Sequence, residues 1–202
     1  MHKIIAYSMA VFVLIFTILP ANAAVEIGQA APEIEATDTN GQPFKLSDHK
    51  GKIVVLEWTN HHCPFVVKHY GSGNMQATQK AAMEQGVEWV SIVSSAPGRQ
   101  GHVSAEKANE VTAEQSATIT AKLLDESGAI GKLYDAKTTP HMFIVDAEGN
   151  IAYAGAIDSN SSPNPKTIEG ATNYVTAALD NLKNGTSVAV SQTQPYGCSV
   201  KY

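Results

Sequence analysis

Cysteine and arginine are both scarce in this chain of 202 residues. The two cysteines, Cys63 and Cys198, can pair with each other, and Arg99 is the only arginine. Lysine and arginine together number 14 against 19 acidic residues, and they are scattered along the chain. This mildly negative chain offers no surface for nucleic acid or for an acidic membrane. Internal repeats and low-complexity runs are also missing, so we expect one well-cored domain.

Long apolar runs are missing after the first 19 residues, so no later segment could cross a bilayer. The one such run, IIAYSMAVFVLIFTIL, follows a basic MHK and precedes an A-x-A site at 21–23. This order is typical of a cleavable secretory signal. We therefore predict a signal peptide over 1–23 and a periplasmic or secreted protein without stable membrane insertion after cleavage. A retained anchor is the alternative, although Pro20 ends the run early.

Apolar, β-branched segments alternate with helical ones in the first part of the chain. IVVLEW (53–58) and VEWVSIVSS (87–95) are typical of buried strands, and a helix is expected to begin at Pro64. HMFIVDAEGNIAYAG (141–155) is typical of a hairpin. The pattern predicts an α/β layered sandwich whose sheet is partly parallel and has an antiparallel edge.

The C-terminal part divides into a helix and a tail. An amphipathic helix is predicted over 167–185, where Gly185 stops it. Residues 186–202 have no strong period and form a tail that carries Cys198. We therefore expect one domain over 24–185 followed by this tail.

Cys63 is the strongest candidate for chemistry. It follows a buried strand and begins a helix, where the helix dipole and free backbone N–H groups favour a thiolate. The thiolate is the reactive form, so the position indicates a nucleophile. The alternative is a small buried apolar residue.

Three ionisable neighbours could assist Cys63. Glu57 lies on the strand that leads to it and could take up or release the thiol proton, or it could simply be a charged residue at a sheet edge. His61 or His62, if protonated, would favour the thiolate. Adjacent residues point in different directions, so at most one faces Cys63, and we name His62 as the candidate.

Thr139 and Pro140 stand just before a predicted buried strand. A Thr-Pro pair in this place is a candidate for a cis peptide bond, and a trans strand-starting proline is the alternative. If the bond is cis, Pro140 would pack against the helix that begins at Cys63. The backbone of Thr139 would then be free to pair with an extended substrate.

The chain resembles the thioredoxin-like superfamily over roughly residues 26–202. The resemblance is carried by APEIEATDTNGQPFKLSDHKGK, NHHCPFV, TTPHMFIVDAEGNIAYAGAIDS and QPYGCSVKY. The last looks like a signature of the peroxiredoxin-like branch of the alkyl hydroperoxide reductase and thiol-specific antioxidant family. The resemblance implies a thioredoxin-like three-layer α/β/α sandwich with a mixed central sheet. It also implies that Cys63 attacks, Glu57 is the buried acid and Pro140 is the cis-proline.

The chain departs from the family's pattern at several positions. Thioredoxins have a second cysteine where this chain has Val66. Peroxiredoxins hold peroxide with a threonine and an arginine, but Thr59 is one residue out of step. Ala154 and Ala156 fill a stretch where the branch often carries arginines. The resemblance therefore implies thiol redox chemistry, and we expect any peroxidase activity to be slow.

We predict a thiol oxidoreductase in which Cys63 attacks a peroxide or a disulfide, without a cofactor, and an external thiol reductant restores it. A sulfenic acid formed from peroxide must be resolved by a second thiol, and we predict that this is Cys198. The stretch from Gly185 to Cys198 reaches roughly 43 Å when extended, enough to fold back over the domain. A permanent structural disulfide is the alternative.

Two function classes outside redox catalysis stay open. Cys63, His61 and His62, together with His141, supply ligand types that suit copper. A thioredoxin-like domain that only binds a partner is the other possibility.

Overall fold

The computed structural model describes residues 25–202. The predicted signal peptide over 1–23 lies outside these described residues. In this part of the chain, no helix combines the length and the apolar character needed to span a bilayer.

Nine strands and five α-helices follow one another along the described chain. The strands are β1 (Glu35–Thr37), β2 (Pro43–Lys45), β3 (Val54–Trp58), β4 (Glu88–Val93), β5 (Ala121–Leu124), β6 (Thr138–Thr139), β7 (His141–Val145), β8 (Ile151–Gly155) and β9 (Cys198–Ser199). The helices are α1 (Pro64–Gly71), α2 (Asn74–Glu84), α3 (Ala105–Glu114), α4 (Ala129–Leu133) and α5 (Tyr174–Lys183).

Five strands form the central sheet in the order β5-β4-β3-β7-β8. Strands β5, β4 and β3 run parallel, whereas β7 and β8 pair antiparallel at the other edge. All five residues of β3 are buried, as a central strand covered on both faces requires. The predicted mixed sheet is confirmed.

Apolar side chains from two helical layers cover the faces of the sheet. Val66 of α1, Met75 of α2 and Val175 of α5 pack on one face. On the other face, Ile130 of α4 packs with Phe44 of the β1–β2 hairpin. The arrangement is the three-layer α/β/α sandwich predicted from the sequence, and it sets α1 directly over the sheet.

The last helix is shorter than predicted. It begins at Tyr174 rather than within the first residues of 167–185. The side chain of Asn173 caps it by accepting the Thr176 N–H at 3.0 Å, which fixes the start there. Gly170, with φ of 82°, turns the chain before that cap.

The tail over 186–202 folds back across the sheet and its open edge. The Ala154 N–H of β8 donates to the Ser191 carbonyl at 3.0 Å, and β9 pairs antiparallel with β6. Near the terminus, the Ala96 N–H donates to the Lys201 carbonyl at 2.8 Å. The tail therefore packs against the body at three successive places and passes over the start of α1.

Candidate active site

Cys63 lies between the end of β3 and the first turn of α1. It precedes Pro64 with an extended backbone, and its N–H donates to the Asn60 carbonyl at 2.9 Å. Its thiol is fully buried and donates to the Thr139 carbonyl at 3.0 Å. Pro64 supplies a first helical residue without an N–H, so α1 begins directly after the cysteine.

The peptide bond between Thr139 and Pro140 is cis, as predicted. The prediction that the Thr139 backbone is free to pair with a substrate is wrong for this structure. Strand β9 pairs with β6, and Cys198 lies opposite Thr139 in the register. The chain's own tail therefore occupies the edge that we expected an extended substrate to use.

The two cysteines are free thiols that lie side by side. Burial raises the pKa of Cys63, but the interacting Cys198 thiol, the Thr139 side chain and the Val66 N–H lower it, and the net pKa lies below that of an ordinary thiol. Burial and the neighbouring Cys63 raise the pKa of Cys198 to about 11. Cys63 therefore loses its proton first, while Cys198 keeps its own and can donate it.

The hydroxyl of Thr139 is buried and makes no hydrogen bond of ordinary geometry within residues 25–202. A buried, unpaired hydroxyl costs free energy unless a partner arrives. The Thr139 side chain acts on the Cys63 sulfur, whose pKa it lowers. The site thus holds a hydrogen-bond donor beside its nucleophile.

Glu57 lies on β3, on the face of the sheet that α1 covers, and is fully buried. Neutral donors surround its carboxylate: Tyr70 at 3.0 Å, Gln79 at 3.2 Å, Trp89 at 2.8 Å and Ser91 at 3.3 Å. Among the hydrogen bonds of residues 25–202, none joins Glu57 to Cys63. The carboxylate is a buried acid held by the core, not a residue at a sheet edge.

His61 and His62 lie beside Cys63 in sequence, but they turn towards each other. Their ring centroids are 3.9 Å apart, and His62 is exposed. Burial and the charge of His62 lower the pKa of His61, which favours its neutral form. Neither ring hydrogen-bonds to Cys63 in the part of the chain that is described. The low pKa of Cys63 comes from the groups named above rather than from an imidazolium.

A buried ion pair near the site was not predicted from the sequence. Lys68 of α1 and Asp158, just after β8, have their charged atoms 3.3 Å apart, with side chains 0% and 3% exposed. Lys68 also donates to the Asn160 carbonyl at 2.8 Å. A lysine and a histidine in succession on α1, at otherwise apolar positions, were the available signal. Asp158 lies 90 residues away in sequence, so no local pattern could join the two.

Tyr196 of the tail completes this buried cluster. Its phenol donates to Asp158 and hydrogen-bonds to His69 Nε2 at 3.1 Å. Burial and Lys68 lower the pKa of His69 to about 4, although Asp158 opposes the shift. The lysine, aspartate, histidine and tyrosine thus form one buried network that joins α1 to the tail.

The remaining candidates, Arg99 and His141, make no hydrogen bond to Cys63 within residues 25–202. Arg99 is exposed in the loop after β4. His141 is buried on β7, where its Nδ1 accepts the Lys137 N–H at 3.2 Å. Residues 25–202 hold no group of three or more histidine, cysteine or acidic side chains that could bind a metal ion.

Solved structures share this fold. An uncharacterized conserved protein from Geobacillus kaustophilus is 29% identical with a TM-score of 0.73, over 88% of this chain and 92% of its own. A hypothetical protein from Sinorhizobium meliloti 1021 is 22% identical with a TM-score of 0.72, over 89% and 96%. A thiol:disulfide interchange protein from Bacteroides sp. is 22% identical with a TM-score of 0.52, over 72% and 90%.

Sequence comparison adds a curated relative and a family. Peroxiredoxin Bcp of Bacillus subtilis (strain 168) is 53% identical over 32 residues, which are 16% of this chain and only 20% of that protein. The AhpC/TSA family matches residues 27–154. The matched region contains β3, Cys63, α1 and the cis-proline. With its mixed sheet and its cysteine at the start of α1, the chain belongs to the AhpC/TSA family of thioredoxin-like redox proteins.

Proposed function

We propose that Cys63 and Cys198 form a dithiol–disulfide couple that reduces a small oxidant, a hydroperoxide in preference to a protein disulfide. The observation that carries the proposal is the pairing of β9 with β6. It sets Cys198 opposite Thr139, whose carbonyl accepts the Cys63 thiol at 3.0 Å.

The first step is oxidation of Cys63. Its thiolate attacks the terminal oxygen of the hydroperoxide, the O–O bond breaks, and the other oxygen leaves as an alkoxide that takes up a proton to become the alcohol. Cys63 becomes a sulfenic acid. The Thr139 hydroxyl supports this step because it is a buried donor next to the reacting sulfur, whose pKa it lowers.

The second step resolves the sulfenic acid. The Cys198 sulfur attacks Cys63, a disulfide forms, and the sulfenic oxygen leaves as water with the Cys198 proton. In the reduced site, the charge of Cys63 contributes to the high pKa of Cys198. Oxidation removes that charge, so Cys198 becomes easier to deprotonate once Cys63 has reacted. Two equivalents of an external thiol, or one dithiol, then reduce the Cys63–Cys198 bond to two thiols and are themselves oxidised to a disulfide.

Two features favour a small oxidant over a protein disulfide. Cys63 is fully buried beneath the tail, and the backbone of Thr139 is already paired with the tail. An extended polypeptide would have to displace β9 first. We expect peroxide turnover to be slow, because one oxyanion-type donor is worth roughly 3 kcal/mol and the only arginine, Arg99, is exposed in the loop after β4.

Rapid-quench mass spectrometry of the reduced protein tests the couple. One equivalent of hydrogen peroxide should give a peptide that joins Cys63 to Cys198 in the wild type. Cys198→Ser should stop at a sulfenic acid that dimedone traps on Cys63, and Cys63→Ser should not react. A small aliphatic disulfide serves as the competing oxidant and should react more slowly than peroxide. A stable sulfenic acid in the wild type, or a bond only between two chains, would contradict the proposal.

We further propose that the couple works in the periplasm or outside the cell. The support is the sequence of residues 1–23, in which a basic segment is followed by an apolar run and then by an A-x-A site. N-terminal sequencing of the protein from the native host is expected to begin at Ala24. A first residue within 1–20 would contradict export by cleavage.

A further inference from the structure

Tyr196 connects the tail to the buried ion pair two residues before Cys198. Its phenol donates to Asp158 and hydrogen-bonds to His69 at 3.1 Å. Its ring lies edge-on to Phe65, with centroids 5.8 Å apart, and Lys68 Nζ lies 5.4 Å from its centroid. Four side chains of the body therefore hold this one tail residue.

Gly197 transmits that position to Cys198. It has φ of 141°, and a Cβ added to it would overlap the Thr139 carbonyl oxygen. The tail backbone therefore presses directly on the group that accepts the Cys63 thiol. Only Gly197 separates Tyr196 from Cys198. The position of the Tyr196 ring therefore determines the position of the Cys198 sulfur.

We propose that Tyr196 is the positioning residue of the resolving step: anchored on Asp158 and His69, it holds Cys198 against Cys63 and keeps the tail closed over that sulfur. The inference rests on the proposed dithiol couple. The Lys68–Asp158 pair is the base of the anchor, because a buried carboxylate is the strongest acceptor that a phenol can meet.

The inference requires opposite effects on the two chemical steps. A tail without its anchor spends more time away from Cys63, so a peroxide reaches the buried sulfur more often. The same motion separates Cys198 from the sulfenic acid, so the disulfide forms more slowly. General destabilisation of the domain would not produce this split.

Tyr196→Phe keeps the ring and removes both hydrogen bonds of the phenol. Tyr134→Phe is the matched control, since it removes a buried phenol hydrogen bond of 2.6 Å, to the Pro32 carbonyl, on the opposite face of the sheet. Sulfenic acid formation is measured with dimedone in a Cys198→Ser background. Formation of the Cys63–Cys198 bond is measured by rapid-quench mass spectrometry.

In Tyr196→Phe, we expect faster sulfenic acid formation and a resolving step slowed by at least about tenfold. Tyr134→Phe should leave both rates as in the wild type. Asp158→Asn weakens the same anchor from its other side and should shift both rates in the same directions as Tyr196→Phe.

The outcomes separate this inference from the proposed function. A wild type that forms no Cys63–Cys198 bond overturns the dithiol couple and the inference with it. A wild type that forms the bond, with the same two rates in Tyr196→Phe, overturns the inference alone. So does an equal slowing of both steps in Tyr196→Phe and Tyr134→Phe, because that result reports lost stability rather than lost position.

Discussion

Two buried clusters of charged side chains lie beside α1, and different parts of the chain complete their hydrogen bonds. The Glu57 carboxylate accepts hydrogen bonds from neutral side chains of α1, α2 and β4, all within the body of the domain. The Lys68–Asp158 pair is completed by Tyr196, which comes from the C-terminal tail. One cluster holds core elements together, whereas the other makes the tail a part of the core.

The difference explains why the tail is ordered over the site. A buried charge is costly unless it is paired and hydrogen-bonded. Lys68 and Asp158 already meet each other, but one Asp158 oxygen is satisfied by the Tyr196 phenol and by the Asn160 N–H at 3.0 Å. Loss of the tail would leave that oxygen less well satisfied. The charge thus stabilises the closed tail, and the tail in turn carries Cys198.

The largest expected effect is on the free energy of unfolding, and it follows from loss of the buried Lys68–Asp158 pair. Asp158→Asn leaves the Lys68 cation buried without a counter-charge, so we expect the free energy of unfolding to fall by about 3–5 kcal/mol. Denaturant titration measures it. Asp135→Asn, which removes a mostly exposed partner of Lys137, is the control and should cost less than about 1 kcal/mol. Similar losses in the two variants would show that the Lys68–Asp158 pair behaves like a surface pair.

The tail-bound cluster should also be the acid-sensitive one. The pKa of His69 is lowered from 6.5 to about 4 in the folded state, so between these values the unfolded chain binds the proton and the folded chain does not. Stability is therefore lost as the pH falls through this window, by roughly 3 kcal/mol for a shift of this size. The measurement is the free energy of unfolding from pH 7 to pH 4.

His69→Gln removes the titrating group, and the acid-induced loss should shrink by that amount. The wild type, measured over the same pH range, is the reference. His141, whose pKa burial also lowers to about 4, stays in every variant and does not affect the difference. An unchanged slope in His69→Gln would show that folding does not lower the pKa of His69.

The Glu57 cluster should matter for stability but not for the reaction. Glu57→Gln replaces a charged acceptor by a neutral amide among the same donors, and we expect a loss of about 2 kcal/mol. The rate of Cys63–Cys198 bond formation should stay within about twofold of the wild type, because no hydrogen bond joins Glu57 to Cys63 in the described chain. A much slower reaction would instead support the proton transfer that its sequence position suggested.

Features that depend only on residues close together in the sequence could be predicted from it. A buried strand, a cysteine and a proline at a helix start are all contained in one short stretch, so Cys63 and its helix followed from it. The redox partnership of Cys63 with Cys198 was predicted from scarcity and reach; the structure places the two free thiols side by side, and the bond between them stays a prediction. The Lys68–Asp158–Tyr196 network was missed because its members come from three distant segments, and burial reveals them only after folding.

The smallest expected effect tests whether the close contact of Gly197 with Thr139 helps to position Cys198. Gly197→Ala adds a Cβ that overlaps the Thr139 carbonyl, so the tail backbone must move away from Thr139. Gly185→Ala is the matched control, since that glycine also has a positive φ, of 68°, but a Cβ there meets no other atom within 4 Å. Each loses about 1 kcal/mol from the backbone conformation, and Gly197→Ala loses about 1 kcal/mol more from the overlap. Only Gly197→Ala should slow bond formation between Cys63 and Cys198, as measured by rapid-quench mass spectrometry. Equal rates in both variants would mean that the tail reaches Cys63 without the close contact at Thr139.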